Sequence, residues 1–293
     1  MAKGKERAMR NFREVLSKQQ TVYAPGVWDG LSALCAREAG FEVLCSSGFA
    51  LSASLGVPDV ELYSSTDAFQ AVARIHEASG LPVVADIDTG YGNAVTVMQT
   101  VRRVQAAGAS AFFMEDQVSP KRCPMSHAGA AEVIPLPEAR GKIRAAVEAK
   151  HDSSLLIART DTQGDEALGR MKHFLADGAD LVMGTTKTFA SVSEWRSVGE
   201  KLGDRLALTI VAGTWLAEDF DLLTLQDCGV RIAVLPTQAI LETSGQLVET
   251  FSRLVREPQS GGREMERAKF LDLVGYDSAD RALAAYGPES GAI

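Results

Sequence analysis

The chain has 293 residues, 46% of them hydrophobic, with a net charge of −8 and a pI near 5.2. That is enough apolar material for one large core, and the acidic balance argues against nucleic acid as a partner, because phosphate binding needs a basic field. The four cysteines, Cys35, Cys45, Cys123 and Cys228, are scattered without a CxxC pair, which disfavours zinc. With no leader-like apolar start and no apolar run of membrane length, the expected setting is a reducing cytoplasm with free thiols.

In chain order, residues 1–18 carry charges on an amphipathic pattern (Met9, Phe12, Val15, Leu16) that predicts a helix. Short apolar runs then alternate with longer helical patterns. Strands are expected at 21–24, 43–46, 82–86, 111–115, 155–158, 181–183, 207–211 and 232–235, with helices at 29–39, 65–78, 95–107, 136–149, 165–177, 192–202, 216–227 and 240–256. Gly40, Gly108, Gly178 and Gly229 each follow a helix pattern where a left-handed cap is wanted. Eight such units predict a parallel (β/α)₈ TIM-type barrel, with a doubly wound open sheet as the alternative. The barrel is preferred because polar residues follow nearly every strand, which suits a ring converging on one mouth. The expected catalytic domain is 1–256. Residues 257–263, with Pro258, Gly261 and Gly262, read as a linker into a C-terminal helical arm within 257–293, including a helical stretch near 264–274. That arm packs either on its own barrel or on a neighbouring subunit.

The loops after the strands build the active site of such a barrel. Strand two runs into Ser46, Ser47 and Gly48, whose small side chains let backbone N–H groups approach an anion. Strand three ends in Asp86 and Asp88, and strand four in Glu115. Period-two spacing predicts that Asp86 and Asp88 point to one face. Buried like charges repel, so a hard divalent cation is the expected companion, Mg²⁺ with Mn²⁺ as the substitute ion. Asp59 reads as a more distant metal ligand or a helix cap. Asp116, one residue after Glu115, should face the other way.

The segment 117–132 is long and polar and reads as a lid. It carries Cys123 beside Lys121 and Arg122, cations expected to favour the thiolate, and His127 is a candidate for proton transfer. Arg159, at the end of strand five, either clamps a substrate carboxylate or pairs with Asp161. Lys187, after strand six, reads as a solvated lysine or a Schiff-base nucleophile.

The stretches 25–33, 51–59, 86–92, 115–123 and 157–161 together resemble the isocitrate lyase/phosphoenolpyruvate mutase superfamily, across residues 23–236. The resemblance implies a (β/α)₈ barrel, Mg²⁺, an α-keto or α-hydroxy acid substrate and a homotetramer with exchanged C-terminal helices. It assigns Asp86, Asp88 and Glu115 to the metal, with Asp59 in the outer shell. Substrate binding falls to Ser46, Ser47, Gly48 and Arg159, with Trp28, Thr185 and Thr214 lining the pocket. Cys123 becomes a general acid, which favours the C–C lyase branch over the phosphonate-rearranging branch. The chain departs from the family pattern at Pro124, Met125 and Ser126, which precede His127. It departs again at Cys45, at 184–186 and at 209–214, so the distal substrate contacts are altered. The expected activity is lysis of a 2-hydroxy di- or tricarboxylic acid, alkylmalate or methylisocitrate-like, to pyruvate or glyoxylate. Oxaloacetate decarboxylation or hydrolysis, phosphonate processing, a Schiff-base aldolase and a non-catalytic binding protein are the alternatives.

Overall fold

The computed structural model describes residues 12–126, 131–214, 217–259, 261–262 and 264–287. In order these form α1 (Phe12–Lys18), β1 (Val22–Val27), α2 (Gly30–Glu38), β2 (Leu44–Ser46), α3 (Gly48–Ser54), α4 (Ser65–Ser79), β3 (Val83–Asp86), α5 (Ala94–Ala106), β4 (Ala109–Glu115), α6 (Leu136–Ala149), β5 (Leu155–Arg159), α7 (Gly164–Ala176), β6 (Leu181–Thr185), α8 (Val192–Leu202), β7 (Leu206–Thr209), α9 (Leu222–Asp227), β8 (Val230–Leu235), α10 (Gln238–Arg256), α11 (Arg267–Val274) and α12 (Tyr276–Tyr286). All neighbouring strands pair in parallel, and β1 closes onto β8 with Val22 opposite Ile232. Closure rules out the open sheet.

The helices start where side chains satisfy the free N–H groups of a first turn. Asp29, Ser47, Ser64, Asn93, Ser191 and Asp221 each accept such a bond. Gly40, Gly108, Gly178 and Gly229 follow α2, α5, α7 and α9 with φ of 98°, 102°, 102° and 68°, the left-handed geometry that ends a helix cheaply only at glycine. Three elements differ from expectation. β1 continues past the expected end at 24, through Pro25 and Gly26 to Val27, and Gly26 lets Pro236 approach: a Cβ there would lie 2.5 Å from the Pro236 oxygen. The short α3 and the later α12 had no strong periodic signal. Of the expected first helix, Phe12–Lys18 is helical and residues 1–11 lie outside the described residues. Leu216, the expected start of the helix before β8, also lies outside them.

The core has two layers. Inside the barrel, Val22, Ala24, Cys45, Val84, Phe113, Ile157, Met183, Ala207 and Val234 pack together, and Phe12 and Val15 of α1 join them. Between strands and helices lies a larger layer that includes Leu44, Ile75, Phe112, Leu156, Phe174, Trp195 and Leu208. The barrel interior is therefore apolar up to the strand ends, where the polar groups begin.

The chain divides into two compact units, Met1–Leu241 and Glu242–Ile293. In the second, α11 and α12 meet at Gly275 (φ 88°). In the same unit, α10 exposes Val248, Phe251 and Val255, at 67%, 61% and 83%. Among the described residues no helix is long and apolar enough to cross a membrane.

Candidate active site

Asp86 is the last residue of β3, and its two carboxylate oxygens accept from the Asp88 N–H (3.0 Å) and the Gly48 N–H (3.2 Å). The N–H expected to meet a substrate anion at Gly48 is therefore donated to Asp86. Gly48 is required here by space, since a Cβ would sit 2.8 Å from the Tyr63 hydroxyl and 2.9 Å from Asp86. Asp88 does lie beside Asp86, but not by strand alternation. The strand has ended, and Asp88 takes a left-handed backbone (φ 47°). Its side chain accepts from Tyr63 at 2.5 Å and Tyr91 at 3.1 Å. Burial pushes Asp86 up to about 6 against the pull of Lys121, with Asp88 adding to the rise. Burial also raises Glu115 well above the carboxylate range, against Arg159 and Lys121.

A cation that the sequence reading placed only beside Cys123 stands at the centre. The buried Lys121 ammonium lies 2.5 Å from Asp88, 3.1 Å from Asp59 and 3.9 Å from Glu115. Burial opposes its charge, yet Asp88, Glu115, Asp59 and Asp86 together raise its pKa well above the ordinary lysine value. Asp59 thus serves Lys121 directly. The expectation for Cys123 is corrected. Its thiol is 6% exposed, and burial, followed by Asp59, raises its pKa and outweighs Lys121. That direction favours the thiol over the thiolate expected from the neighbouring cations.

β4 and β5 place Glu115 opposite Arg159 in register, and the two side chains pair at 2.7 Å. Arg159 also grips Asp161 through Nε and Nη2 at 2.9 to 3.1 Å, so its guanidinium is fixed on both sides. Gln117 donates to Glu115, Asp161 and the Arg122 carbonyl and accepts from the Arg122 N–H, which pins the start of the loop after β4. Asp116 faces away, as expected. It accepts from Thr160 and pairs with Arg170 at 3.2 Å, and burial still lifts it to about 6.

Of the remaining expected residues, Ser46 ends β2, and Ser47 caps α3 while donating to the Pro236 carbonyl at 2.9 Å. The Trp28 N–H donates to Ser32, next to the N-cap Asp29. Thr185 ends β6 and accepts from the Lys187 N–H at 3.2 Å. Thr214 meets Thr186 and donates to the Val211 carbonyl. Lys187 donates to the Pro124 carbonyl at 2.8 Å, which ties it to the loop after β4. His127 lies outside the described residues. Cys123, Arg122, Pro124, Gln117, Asp161, Thr185 and Lys187 line one cavity of about 30 Å³. Sequence reasoning missed Tyr63, Tyr91, Gln117 and Glu61. Only Tyr91 carried a signal, between Gly90 and Gly92 in the strand-three loop.

Among the described residues no three histidine, cysteine or carboxylate groups form a ready-made ion cage. The donor chemistry nevertheless fits Mg²⁺. Among the described residues, Asp59, Asp86, Asp88, Glu115 and Asp161 outnumber the cations set against them, Lys121 and Arg159, a surplus of negative charge in a buried space, and Asp86 has no ion-pair partner among the described residues. Buried charge of one sign demands compensation. Mg²⁺ needs only one or two carboxylates, with water completing its shell.

A closed parallel barrel with carboxylates and two buried cations gathered at its strand ends is an enzyme-type (β/α)₈ architecture. The phosphoenolpyruvate phosphomutase family model matches residues 12–255, and the chain belongs to the isocitrate lyase/phosphoenolpyruvate mutase superfamily. It is 36% identical to 2,3-dimethylmalate lyase of Eubacterium barkeri, over 91% of this chain and 93% of that one. It is 31% identical to 2-methylisocitrate lyase of Aeropyrum pernix, over 92% and 88%. A solved phosphonopyruvate hydrolase complexed with oxalate and Mg²⁺ superposes with a TM-score of 0.81 at 29% identity, covering 95% of this chain and 99% of that one.

Proposed function

We propose that the chain is a Mg²⁺-dependent lyase that cleaves a C–C bond in a 2-hydroxy di- or tricarboxylic acid, of the alkylmalate or methylisocitrate type, and releases pyruvate or glyoxylate. The observation that carries this reading is the buried Cys123 side chain, on the same loop that sets Lys121 among Asp59, Asp88 and Glu115; burial raises the thiol's proton affinity. Asp86, Asp88 and Glu115 would hold the ion, with Asp59 behind them. When bound, Mg²⁺ would stabilise oxyanion charge developing on the substrate.

A base removes the 2-hydroxyl proton. The electron pair left on that oxygen forms the carbonyl of the keto acid, and the C–C bond electrons pass to an enolate-like carbanion. Cys123 gives that carbanion its proton. Lys121 and Arg159, fixed between acids, keep the mouth cationic enough to hold the substrate carboxylates. The cavity beside Cys123 has room for a water or two, so a branched distal substituent requires the lid to shift.

Support for the lyase branch comes from the named lyases among the relatives. The exposed stripe Val248, Phe251 and Val255 on α10 supports a homotetramer in which that face is covered. The test is a screen of alkylmalates, 2-methylisocitrate, oxaloacetate and phosphonopyruvate, each with Mg²⁺ and with EDTA. The expected result is keto-acid release from a hydroxy acid that EDTA abolishes. Turnover of oxaloacetate or phosphonopyruvate alone, or indifference to EDTA, overturns the reading.

A further inference from the structure

The described chain contains three non-glycine residues with positive φ, namely Glu61 (58°), Asp88 (47°) and Tyr91 (60°). Asp88 and Tyr91 follow β3 at the mouth, and Glu61 reaches it through its side chain. Left-handed backbone costs a residue with a Cβ on the order of 1 kcal/mol and persists only when its surroundings hold it. Asp88 and Tyr91 are held by one another and by Tyr63. Glu61 sits in the connection between α3 and α4, away from the strand ends, and no step of the proposed reaction uses it.

Its side chain joins three loops. One carboxylate oxygen accepts from the Thr89 hydroxyl at 2.6 Å, the residue after Asp88. The other accepts from the Ser119 hydroxyl at 2.5 Å and from the Lys121 N–H at 3.2 Å. Lys121 is thus gripped twice, its backbone by Glu61 and its ammonium by Asp59, two residues earlier on the same connection. Thr89 is braced in turn by the buried Lys142 of α6, which donates to its carbonyl at 2.5 Å. The left-handed turn at Glu61 aims one carboxylate at both the strand-three and the strand-four loops.

We propose that Glu61 is the positioning residue of the lid, a latch that holds the start of the Cys123 loop against the strand-three loop and so keeps Lys121 among the carboxylates and the Cys123 thiol buried. Its catalytic consequence rests on the reading of Cys123 as proton donor. The latch itself does not. Opening it frees residues 119–123 from the mouth and lets solvent reach the thiol.

The experiment is alkylation of Cys123 by iodoacetamide, followed by peptide mass spectrometry in a Cys35→Ser background, because Cys35 is the exposed thiol and Cys45 and Cys228 are buried. Glu61→Gly removes the carboxylate and also relieves the left-handed backbone, so the variant should stay folded, checked by circular dichroism, while Cys123 alkylation rises at least ~10-fold. Glu61→Gln keeps one oxygen acceptor and should restore most of the protection. With substrate, Glu61→Gly should lower kcat and also raise KM, because Lys121, which helps hold the substrate carboxylates, is among the freed residues, and Glu61→Gln should recover most of both. Parental alkylation rates in Glu61→Gly, or equal exposure in Glu61→Gly and Glu61→Gln, overturn the latch whatever reaction the enzyme performs. Protection without any hydroxy-acid turnover sinks the lyase reading and leaves the latch standing.

Discussion

Lys121→Met tests whether the ammonium is the keystone of the mouth. The substitution keeps most of the side-chain volume and removes one charge. At the observed 2.5, 3.1 and 3.9 Å, the gross attraction to Asp88, Asp59 and Glu115 is on the order of 15 kcal/mol at an effective dielectric near 20. Desolvation of four buried ions offsets most of it. What remains on deleting one partner of such a cluster is about 3–5 kcal/mol, because the carboxylates stay buried without their cation. Urea unfolding at pH 7 should show that loss as a lower midpoint with an unchanged slope. Lowering the pH to about 5 should return part of it, since the stranded carboxylates then take up protons. Mg²⁺ should stabilise the variant more than the parent, because it supplies the missing positive charge. A loss under about 1 kcal/mol, or one that does not shrink on acidification, refutes the placement of Lys121 in the ring.

Cys123→Ser should bind substrate normally and lose about 10²–10⁴ in turnover, measured by keto-acid release, because a hydroxyl is a far poorer acid than the buried thiol. Gly48→Ala drives a methyl group to within 3 Å of Tyr63 and Asp86, and should cost about 1–3 kcal/mol in denaturant unfolding and most of the activity. Asp177 is held below the usual carboxylate range by Arg140 and then Arg144. Its folded pKa lies under its unfolded value, so its contribution is present above pH ~4 and fades as pH falls further. Asp177→Asn should therefore lose about 1 kcal/mol at pH 7 and match the parent near pH 2, read by unfolding at both pH values.

The periodic elements of the barrel were legible because their physics is local. Short apolar runs ended by polar residues gave all eight strands, and a glycine after α2, α5, α7 and α9 marked where each helix stops. Asp86, Glu115 and Arg159 could be read as rim residues because each ends its strand. The contacts that make the site work were not legible. Lys121 is a loop lysine in sequence, and only the path of 117–123 carries its ammonium into the carboxylates. Tyr63 and Glu61 come from a connection with no periodicity, so nothing in their spacing points at Asp88 or Ser119. The sign of the Cys123 shift depended on how deeply the thiol sits, a quantity that neighbours in sequence do not report.

The barrel keeps its floor and its rim chemically apart. Phe12 and Val15 stopper one end with hydrocarbon, while ionised groups gather at the other. Amino-acid drift at the open end can therefore retune which molecule is processed without disturbing the stopper. That separation explains how a phosphonopyruvate hydrolase keeps this backbone at 29% identity, and it makes overall shape a weak guide to diet within this lineage.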